Sequence, residues 1–383
     1  MIKIISRFFI EHVHPPKIDW VLFFAVLPLL GAGLVTMTSF VGGSNIFFDK
    51  QLLWIVVSLA VFFMISCLDI GFLKRTGVLV SMFGAVCAVL TLLLILGSAT
   101  QGATSWIHFS GFSLQPSDPS KILIILILAK YFSRRHIEIA NIRHIIISAL
   151  YAFILFLLIF LQGDFGSAVI IFCIWLGMIM VSGVSKKHLL LVFLVGAIAF
   201  GGMWGFLFED YQRGRIMTFI HPLADIQGVG YHAYQSTIAV GSGEIFGKGV
   251  GYGTQSRLKF LPEYQTDFVF AAFAEEWGFI GVTILFMLFL LVIWRILINA
   301  IYGASNFEIL FAMGLAILFM SHFIMHVGMN IGLLPVTGLT IPFLSYGGSH
   351  LLTEFIGLGI LMSMRSYRRP LHKDDTKYEF LGV

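Results

Sequence analysis

The chain has 383 residues, of which 58% are apolar and only 11% are charged, and its net charge is +4 at pH 7. A soluble domain contains about 45–50% apolar and about 25% charged residues, so this composition excludes an ordinary soluble or disordered protein. Long unbroken apolar runs, in place of short alternating ones, argue against a transmembrane β-barrel. We therefore predict an all-α polytopic membrane protein.

The first 19 residues have no cleavage site after an apolar core, so residues 1–19 are predicted to be a cytoplasmic leader. About ten apolar runs that are long enough to cross about 30 Å of hydrocarbon follow. The predicted spans are 20–40, 51–68, 76–97, 120–132, 144–162, 166–182, 188–208, 268–301, 307–327 and 344–364.

Most Lys and Arg residues flank these runs on the side that holds both ends of the chain, which the positive-inside rule makes cytoplasmic. The tail 365–383 is therefore predicted to be cytoplasmic, and residues 1–383 form a single transmembrane domain. The other side carries a large extracytoplasmic loop, 209–267, between the seventh and eighth spans. Shorter outer loops are predicted at 101–119, 162–166 and 328–345, and functional residues are expected in these loops.

Asp267 ends the large loop and opens the eighth span, so it is either a helix cap or a catalytic carboxylate. Glu275 and Glu276 follow eight and nine residues later, and both are predicted to lie inside the bilayer. Because an unpaired carboxylate is costly there, we interpret them as partners of other helices in a buried salt bridge.

Further polar residues on the same side are candidates for a site. Asp118 and Lys121 are three residues apart at a helix start, so they either form an ion pair or line a cavity together. Asp164 has the pattern of an N-cap. Five cations of the large loop suggest an anionic ligand such as phosphate, although a solvated loop surface is the alternative; these are Arg213, Arg215, Lys248, Arg257 and Lys259.

Two stretches resemble known binding motifs but lack a residue that each motif requires. The run GSGEIFGKGVGYG has Gly249 where a phosphate-binding loop needs Ser or Thr after the lysine. His322 and His326 have the spacing of a zinc site, but Phe323 stands where a metalloprotease has its acid. We interpret both histidines as packing residues.

The sequence resembles the SEDS family (shape, elongation, division and sporulation), and its RodA branch more closely than its FtsW branch. The match spans nearly the whole chain. The segments that carry it are GATSWIHFSGFSLQPSDPSK, LQGDFGSA, the run from RGRIMTF to EEWGFIG, and MNIGLLPVTGLTIPFLSYGGSH.

This resemblance implies a peptidoglycan glycosyltransferase that polymerises lipid II outside the cytoplasmic membrane together with a class B penicillin-binding protein. Asp267 matches the essential aspartate of the family. Asp118 and Lys121 fall on one conserved polar motif, and Asp164 falls on the acid of another. The chain departs from the family in having Asp118 for Glu, Gly163 for Pro, Ser105 for a frequent Arg and His350 for a small residue.

Transfer from a sugar diphosphate expels an anion, so one carboxylate base and several cations suffice. We expect Asp267 to be that base and the reaction to proceed with inversion. Asp118, Lys121, Asp164 and the five loop cations are expected to bind substrate, with the diphosphate held by cationic side chains or by a divalent Mg or Mn ion. Structural roles are expected for Glu263, Glu275, Glu276, Ser345 and Tyr346.

The stretch GTQSRLKFLPE resembles the RodA branch, which favours a role in elongation and rod shape. Membrane lipid is the expected environment, and the scattered positive charges give no indication of nucleic acid binding. Two alternatives remain at this stage. The chain could be a lipid II flippase or transporter, in which the charges line a path across the bilayer, or a non-catalytic scaffold of a cell-wall complex.

Overall fold

The computed structural model describes residues 17–38, 46–97, 105–109, 112–134, 142–206, 208, 210–221, 230–258, 260–261 and 263–366. Thirteen α-helices lie within these residues. They are α1 (Trp20–Thr38), α2 (Ile46–Cys67), α3 (Thr76–Leu96), α4 (Ser117–Ser133), α5 (Ile142–Leu161), α6 (Phe165–Val181), α7 (Lys186–Phe206), α8 (Asp210–Ile220), α9 (Tyr231–Ser242), α10 (Thr254–Arg257), α11 (Val269–Ile301), α12 (Asn306–Asn330) and α13 (Gly348–Ser366). A hairpin of β1 (Ile107–Phe109) and β2 (Phe112–Leu114) lies in the predicted outer loop 101–119.

Each predicted span overlaps one helix, and the prediction of an all-helical membrane protein is confirmed. Seven helices among the described residues are long and apolar enough to cross a membrane: α1, α2, α3, α5, α7, α11 and α12. The other predicted spans form α4, α6 and α13, which contain 17, 17 and 19 residues. Their crossing, and hence the count of ten spans, stays a prediction.

The prediction of one continuous eighth helix is wrong. Gly278 interrupts α11 with φ 64° and ψ −166°, a backbone conformation that is essentially restricted to glycine. Residues 279–301, which follow the break, are about 35 Å long at 1.5 Å per residue, which is enough to cross a bilayer alone. Glu275 and Glu276 lie before the break, so the spanning part of α11 does not need to contain them.

The large predicted outer loop, 209–267, is more ordered than expected, because its described residues include α8, α9 and α10. The segment between α9 and α10 docks against the break in α11. Four backbone hydrogen bonds join them, from the amide of Phe279 to Glu244 (2.9 Å), Ile280 to Ile245 (3.1 Å), Lys248 to Glu275 (2.9 Å) and Gly249 to Glu276 (3.0 Å). The docked segment therefore satisfies backbone groups that the break leaves without helical partners.

Small residues and phenylalanines fill the helical core. A Cβ atom added at Gly177 would lie 2.8 Å from Ile317, so the glycine allows α6 and α12 to approach closely. Phe289 and Phe323 stack with ring centroids 4.2 Å apart. This packing fixes the relative positions of the helices that carry the polar residues described below.

At the end of the molecule opposite the docked segment, buried Asp19 joins α1, α11 and α13. Its carboxylate accepts hydrogen bonds from Arg295 at 2.7 Å and Asn299 at 2.9 Å, and Arg365 lies 2.9 Å away. The amide of Lys17 donates to Ser366 Oγ at 2.7 Å. Both ends of the described chain therefore lie on one face, as an even number of spans requires.

Candidate active site

A cavity of about 840 Å³ lies where α2, α4, α6, α11 and α13 begin. The β-hairpin, α8 and the segment 335–340 between α12 and α13 complete its wall. Its ionisable lining residues are Lys50, Asp118, Lys121, Asp164, Arg215, Glu263, Asp267, His322, Tyr346 and His350. Because helix N-termini carry partial positive charge, five of them at one cavity favour an anionic ligand.

Asp267 lies in the turn just before α11. Asn330 fixes this turn, since its Nδ2 donates to the Asp267 carbonyl at 3.0 Å and its Oδ1 accepts from the Ala271 amide at 3.2 Å. No side chain caps α11, which begins after Phe268. The helix-cap interpretation of Asp267 is therefore not supported, and its carboxylate accepts no hydrogen bond from the described part of the chain.

The surroundings of Asp267 disfavour its charged form. Burial raises the pKa of Asp267 to about 7, the negative charge of Glu263 contributes to the increase, and Arg215 opposes it. A carboxylate with a pKa near the working pH can accept a proton efficiently and remain ionised for part of the time. Asp267 therefore has the properties of a general base.

The segment 335–340 places Arg215 and Asp267 on the same side of the cavity. Arg215 Nη1 donates to the Val336 carbonyl at 3.3 Å. Gly338 has φ +70°, and a Cβ added there would lie 3.5 Å from Asp267 Oδ2. The segment therefore packs directly against the carboxylate, and glycine suits its backbone conformation.

The structure also brings Asp118, Lys121 and Asp164 to this cavity. Lys121 Nζ lies 2.9 Å from Asp118 Oδ1, and both side chains are buried, so the predicted ion pair and the predicted cavity lining occur together. Asp164 caps α6 by accepting from the Ser167 amide at 3.0 Å, and it also accepts from Gln115 Nε2 at 2.7 Å.

Most of the loop cations predicted to bind the anion do not reach the cavity. Lys248 Nζ lies 2.7 Å from buried Glu275, Arg213 is directed to the Gly205 carbonyl at 3.5 Å, and Arg257 is exposed at the end of α10. Lys259 lies outside the described residues. Arg215 alone of the four described loop cations lines the cavity, because the others are bonded elsewhere or point away from it.

The residues expected to be structural fall into two groups. Glu275, Glu276 and Ser345 hold backbone in place: Glu276 accepts from the Gly251 amide at 2.7 Å, and Ser345 Oγ donates to the Thr266 carbonyl at 2.9 Å. Glu263 and Tyr346 instead line the cavity, although the Tyr346 amide also bonds to the Gln265 carbonyl at 2.8 Å.

Three ionisable residues that line the cavity were not predicted from the sequence to belong to the site: Lys50, His322 and His350. Lys50 is exposed in the first turns of α2 and lines the cavity. Its signal was available, because a lysine on the outer side runs against the positive-inside rule. His322 and His350 also line the cavity, and His322 Nδ1 donates to the Thr340 carbonyl at 3.1 Å. His326 does not line it, consistent with a packing role.

Within the described residues, no group of three or more His, Cys, Asp and Glu side chains is placed to hold a metal ion. The metal remains an expectation, and no step below is assigned to it.

Residues 17–370 match the family of cell cycle proteins formed by FtsW, RodA and SpoVE. The chain belongs to this SEDS family. Among its relatives, peptidoglycan glycosyltransferase MrdB of Escherichia coli K12 is 37% identical over 277 residues, which are 72% of this chain and 75% of the relative. Stage V sporulation protein E of Bacillus subtilis is 34% identical over 362 residues, which are 92% and 98% of the two chains.

Solved structures agree with this SEDS assignment. The rod shape determining protein RodA of Thermus thermophilus superposes with a TM-score of 0.69 at 27% identity, over 92% of this chain and 99% of its own. A second chain superposes with a TM-score of 0.78 at 28% identity over the same shares. Its structure is described as the structural coordination of polymerization and crosslinking by a peptidoglycan synthase complex.

Proposed function

We propose that this SEDS protein is a peptidoglycan glycosyltransferase that extends glycan strands from lipid II during cell elongation. Relatives named as peptidoglycan glycosyltransferases and the similarity to RodA support the activity and the elongation role. The observation that carries the mechanism is Asp267, a carboxylate with a pKa near 7 that faces a large cavity without a hydrogen-bonding partner among the described residues.

In the proposed reaction, Asp267 takes the proton from the 4-hydroxyl of the terminal GlcNAc of the acceptor. The oxygen attacks the anomeric carbon of the donor as the bond from that carbon to the diphosphate oxygen breaks. The bonding electrons leave with the polyprenyl diphosphate, and a single displacement inverts the anomeric carbon. Because the leaving group is already an anion, it needs cations rather than a second acid.

Cavity cations from three directions are available for the diphosphates. Arg215 lies on the Asp267 side, Lys121 lies at the start of α4, and Lys50 lies at the start of α2. The N-termini of the five helices add to the positive potential. Asp164, Asp118 and Gln115 supply polar contacts for the sugars.

The proposed substrate also needs room for its polyprenyl chain. Helices around the cavity expose large apolar side chains, including Leu53 (60% exposed) on α2 and Phe206 (90% exposed) at the end of α7. No residue of α7 is buried. A lipid tail can lie along such surfaces while its diphosphate occupies the cavity.

We further propose that the cavity faces outward from the cytoplasmic membrane, that both termini are cytoplasmic, and that a class B penicillin-binding protein crosslinks the strands. The distribution of Lys and Arg supports this orientation. The similar chain described in a complex that coordinates polymerization and crosslinking supports such a partner.

The flippase alternative predicts polar residues near the middle of the bilayer. The cavity instead lies at the starts of α2, α4, α6, α11 and α13, which favours an enzyme. Incubating the purified chain with labelled lipid II in vesicles separates the alternatives: glycan strands support the enzyme, translocation without strands supports the flippase, and neither supports the scaffold.

We expect the rate to rise with pH and level off above about 7, because Asp267 must be deprotonated to act. Glu263→Gln removes a neighbouring negative charge, so it should lower the pKa of Asp267 and move the acid limb to lower pH. Arg215→Gln should move that limb to higher pH. Initial rates between pH 5 and 9 test both shifts, and shifts in the same direction for the two variants would contradict this assignment.

Lys50→Gln should raise KM for lipid II about tenfold, since a hydrogen bond to a charged group is lost. Arg257→Gln is the matched control, because Arg257 is also an exposed outer cation but lies outside the cavity. The control should stay within about twofold of wild type. Equal effects of the two substitutions would indicate general surface charge instead of a contact in the cavity.

A further inference from the structure

A buried row of ionisable side chains runs from the cavity wall into the space between α4 and α13. Asp118 Oδ1 lies 2.9 Å from Lys121 Nζ and 3.7 Å from His350 Nδ1. On the other side of the imidazole, His350 Nε2 lies 2.8 Å from Glu354 Oε1. The imidazole therefore stands between two carboxylates, one at the cavity and one deeper in the protein.

Glu354 is held at a fixed position. Its second oxygen, Oε2, accepts from the Phe343 amide at 3.1 Å. Phe343 has φ 62°, a left-handed conformation that is uncommon for a bulky residue and needs support from its surroundings. Glu354 thus links α13 to the loop before it. The position of the Glu354 carboxylate therefore does not depend on the position of Asp118.

The charges of this row match when the imidazole is protonated, because two carboxylates then face two cations. Asp118, Lys121 and Glu354 are at most 4% exposed, so an unmatched charge would be costly. Two further histidines are ionisable neighbours of His350: His322, whose ring lies 4.6 Å away, and His326, whose Nδ1 donates to the Leu339 carbonyl at 2.6 Å. Since His322 Nδ1 donates to a carbonyl, its other nitrogen is an acceptor in the neutral ring and adds no charge.

Asp118, Lys121 and His350 all line the cavity, and Lys121 supplies the ammonium group. Its ammonium has three donors, and within the described residues it has one acceptor, Asp118 Oδ1. Two donors are therefore available to oxygen atoms of a ligand. Their strength depends on how completely Asp118 neutralises the ammonium, and His350 competes for the same carboxylate oxygen.

We propose that His350 is a positioning residue that, held by Glu354, shares the Asp118 carboxylate and thereby keeps Lys121 directed at an anionic group of the substrate in the cavity. This rests on the proposed function, in which that group is the diphosphate of lipid II. His350 itself does not need to touch the reacting atoms.

The pairing of a short carboxylate with a large neighbour suggests a sharp test. His350→Ser should leave Asp118 wholly to Lys121 and raise KM for lipid II about tenfold, with kcat changed much less. Asp118→Glu should also raise KM, because the added methylene is forced against the imidazole. His350→Lys keeps a cation between Asp118 and Glu354, so it should hold KM within about threefold of wild type.

Glu354→Gln provides a second variant that keeps an acceptor for the Phe343 amide. It should raise KM several-fold, because it removes the negative charge that faces His350, and thermal unfolding of the full-length chain in detergent checks that each variant folds. An unchanged KM in both His350→Ser and Glu354→Gln would overturn the proposal. So would an equal rise of KM in His350→Ser and His350→Lys, or a loss confined to kcat.

Failure of this proposal can be separated from failure of the proposed function. Strand synthesis by wild type and its loss in Asp267→Asn test the function. Binding of fluorescent lipid II to His350→Ser and to His350→Lys, each in an Asp267→Asn background, tests His350 without polymerisation. Weakened binding in the first and near wild-type binding in the second support the positioning role, and equal binding would contradict it.

Discussion

Asp267→Asn should abolish strand synthesis, with a fall in kcat of roughly 100- to 10,000-fold, the usual contribution of a general base. Asparagine has nearly the same shape but cannot accept the proton from the sugar hydroxyl. Gel separation of products from labelled lipid II measures the loss. Folding should be preserved, since the site disfavours the charge that the substitution removes.

The control for this experiment is the unfolding midpoint of the same preparation, which should not fall below that of wild type. Lipid II binding should also persist, because Asp267 acts on the proton and the cations hold the diphosphate. Strand synthesis at a wild-type rate by Asp267→Asn would remove the carboxylate from the mechanism. A variant that loses both binding and stability would instead indicate a structural role.

Glu275→Ala should destabilise the protein by about 3 kcal/mol or more, because it leaves the Thr254 and Gln255 amides without their buried acceptor and removes the partner of Lys248. The Glu275 carboxylate is fully buried and accepts from Lys248 Nζ at 2.7 Å, the Thr254 amide at 2.8 Å and the Gln255 amide at 3.2 Å. These bonds secure the docked segment against α11. A lower midpoint of thermal unfolding in detergent, with weaker strand synthesis, is the expected result.

Glu308→Gln is the matched control for this effect. Glu308 also pairs with a lysine, Lys74 at 2.8 Å, but that lysine side chain is 43% exposed and the pair lies away from the outer loop. Water screens such a pair, so its loss should lower the midpoint less and leave strand synthesis unchanged. Equal destabilisation by the two substitutions would show that burial of Glu275 has no special weight.

The pattern of apolar runs in the sequence was enough to predict both the spans and part of the site. Apolar runs identify spans, and alternation of spans puts loops on one side, so Asp118, Asp164 and Asp267 were expected on one face. Their meeting in one cavity follows from helix packing, which carries no local signal. The resemblance to a family added Asp267 as the residue to test.

Other features depend on tertiary contacts that hydropathy does not record. The break at Gly278 is invisible in an apolar run, because a glycine is compatible with both helix and break until the docked segment is known. Lys248 carries the same charge as Arg215, but it forms an ion pair with Glu275 and does not line the cavity. His322 was interpreted as a packing residue because Phe323 stands where a metalloprotease has its acid, and its place in the cavity wall follows only from helix packing.

The near balance of charge around the cavity has a consequence for the end of each cycle. Among the described residues, Lys50, Lys121, Arg215 and the protonated His350 are opposed by Asp118, Asp164, Glu263 and Asp267, so no strong excess of positive charge would retain a spent carrier lipid. After the new glycosidic bond forms, the proton on Asp267 must also return to water. A site that binds its anionic product with only moderate affinity can release it and bind the next substrate, which repeated strand extension requires.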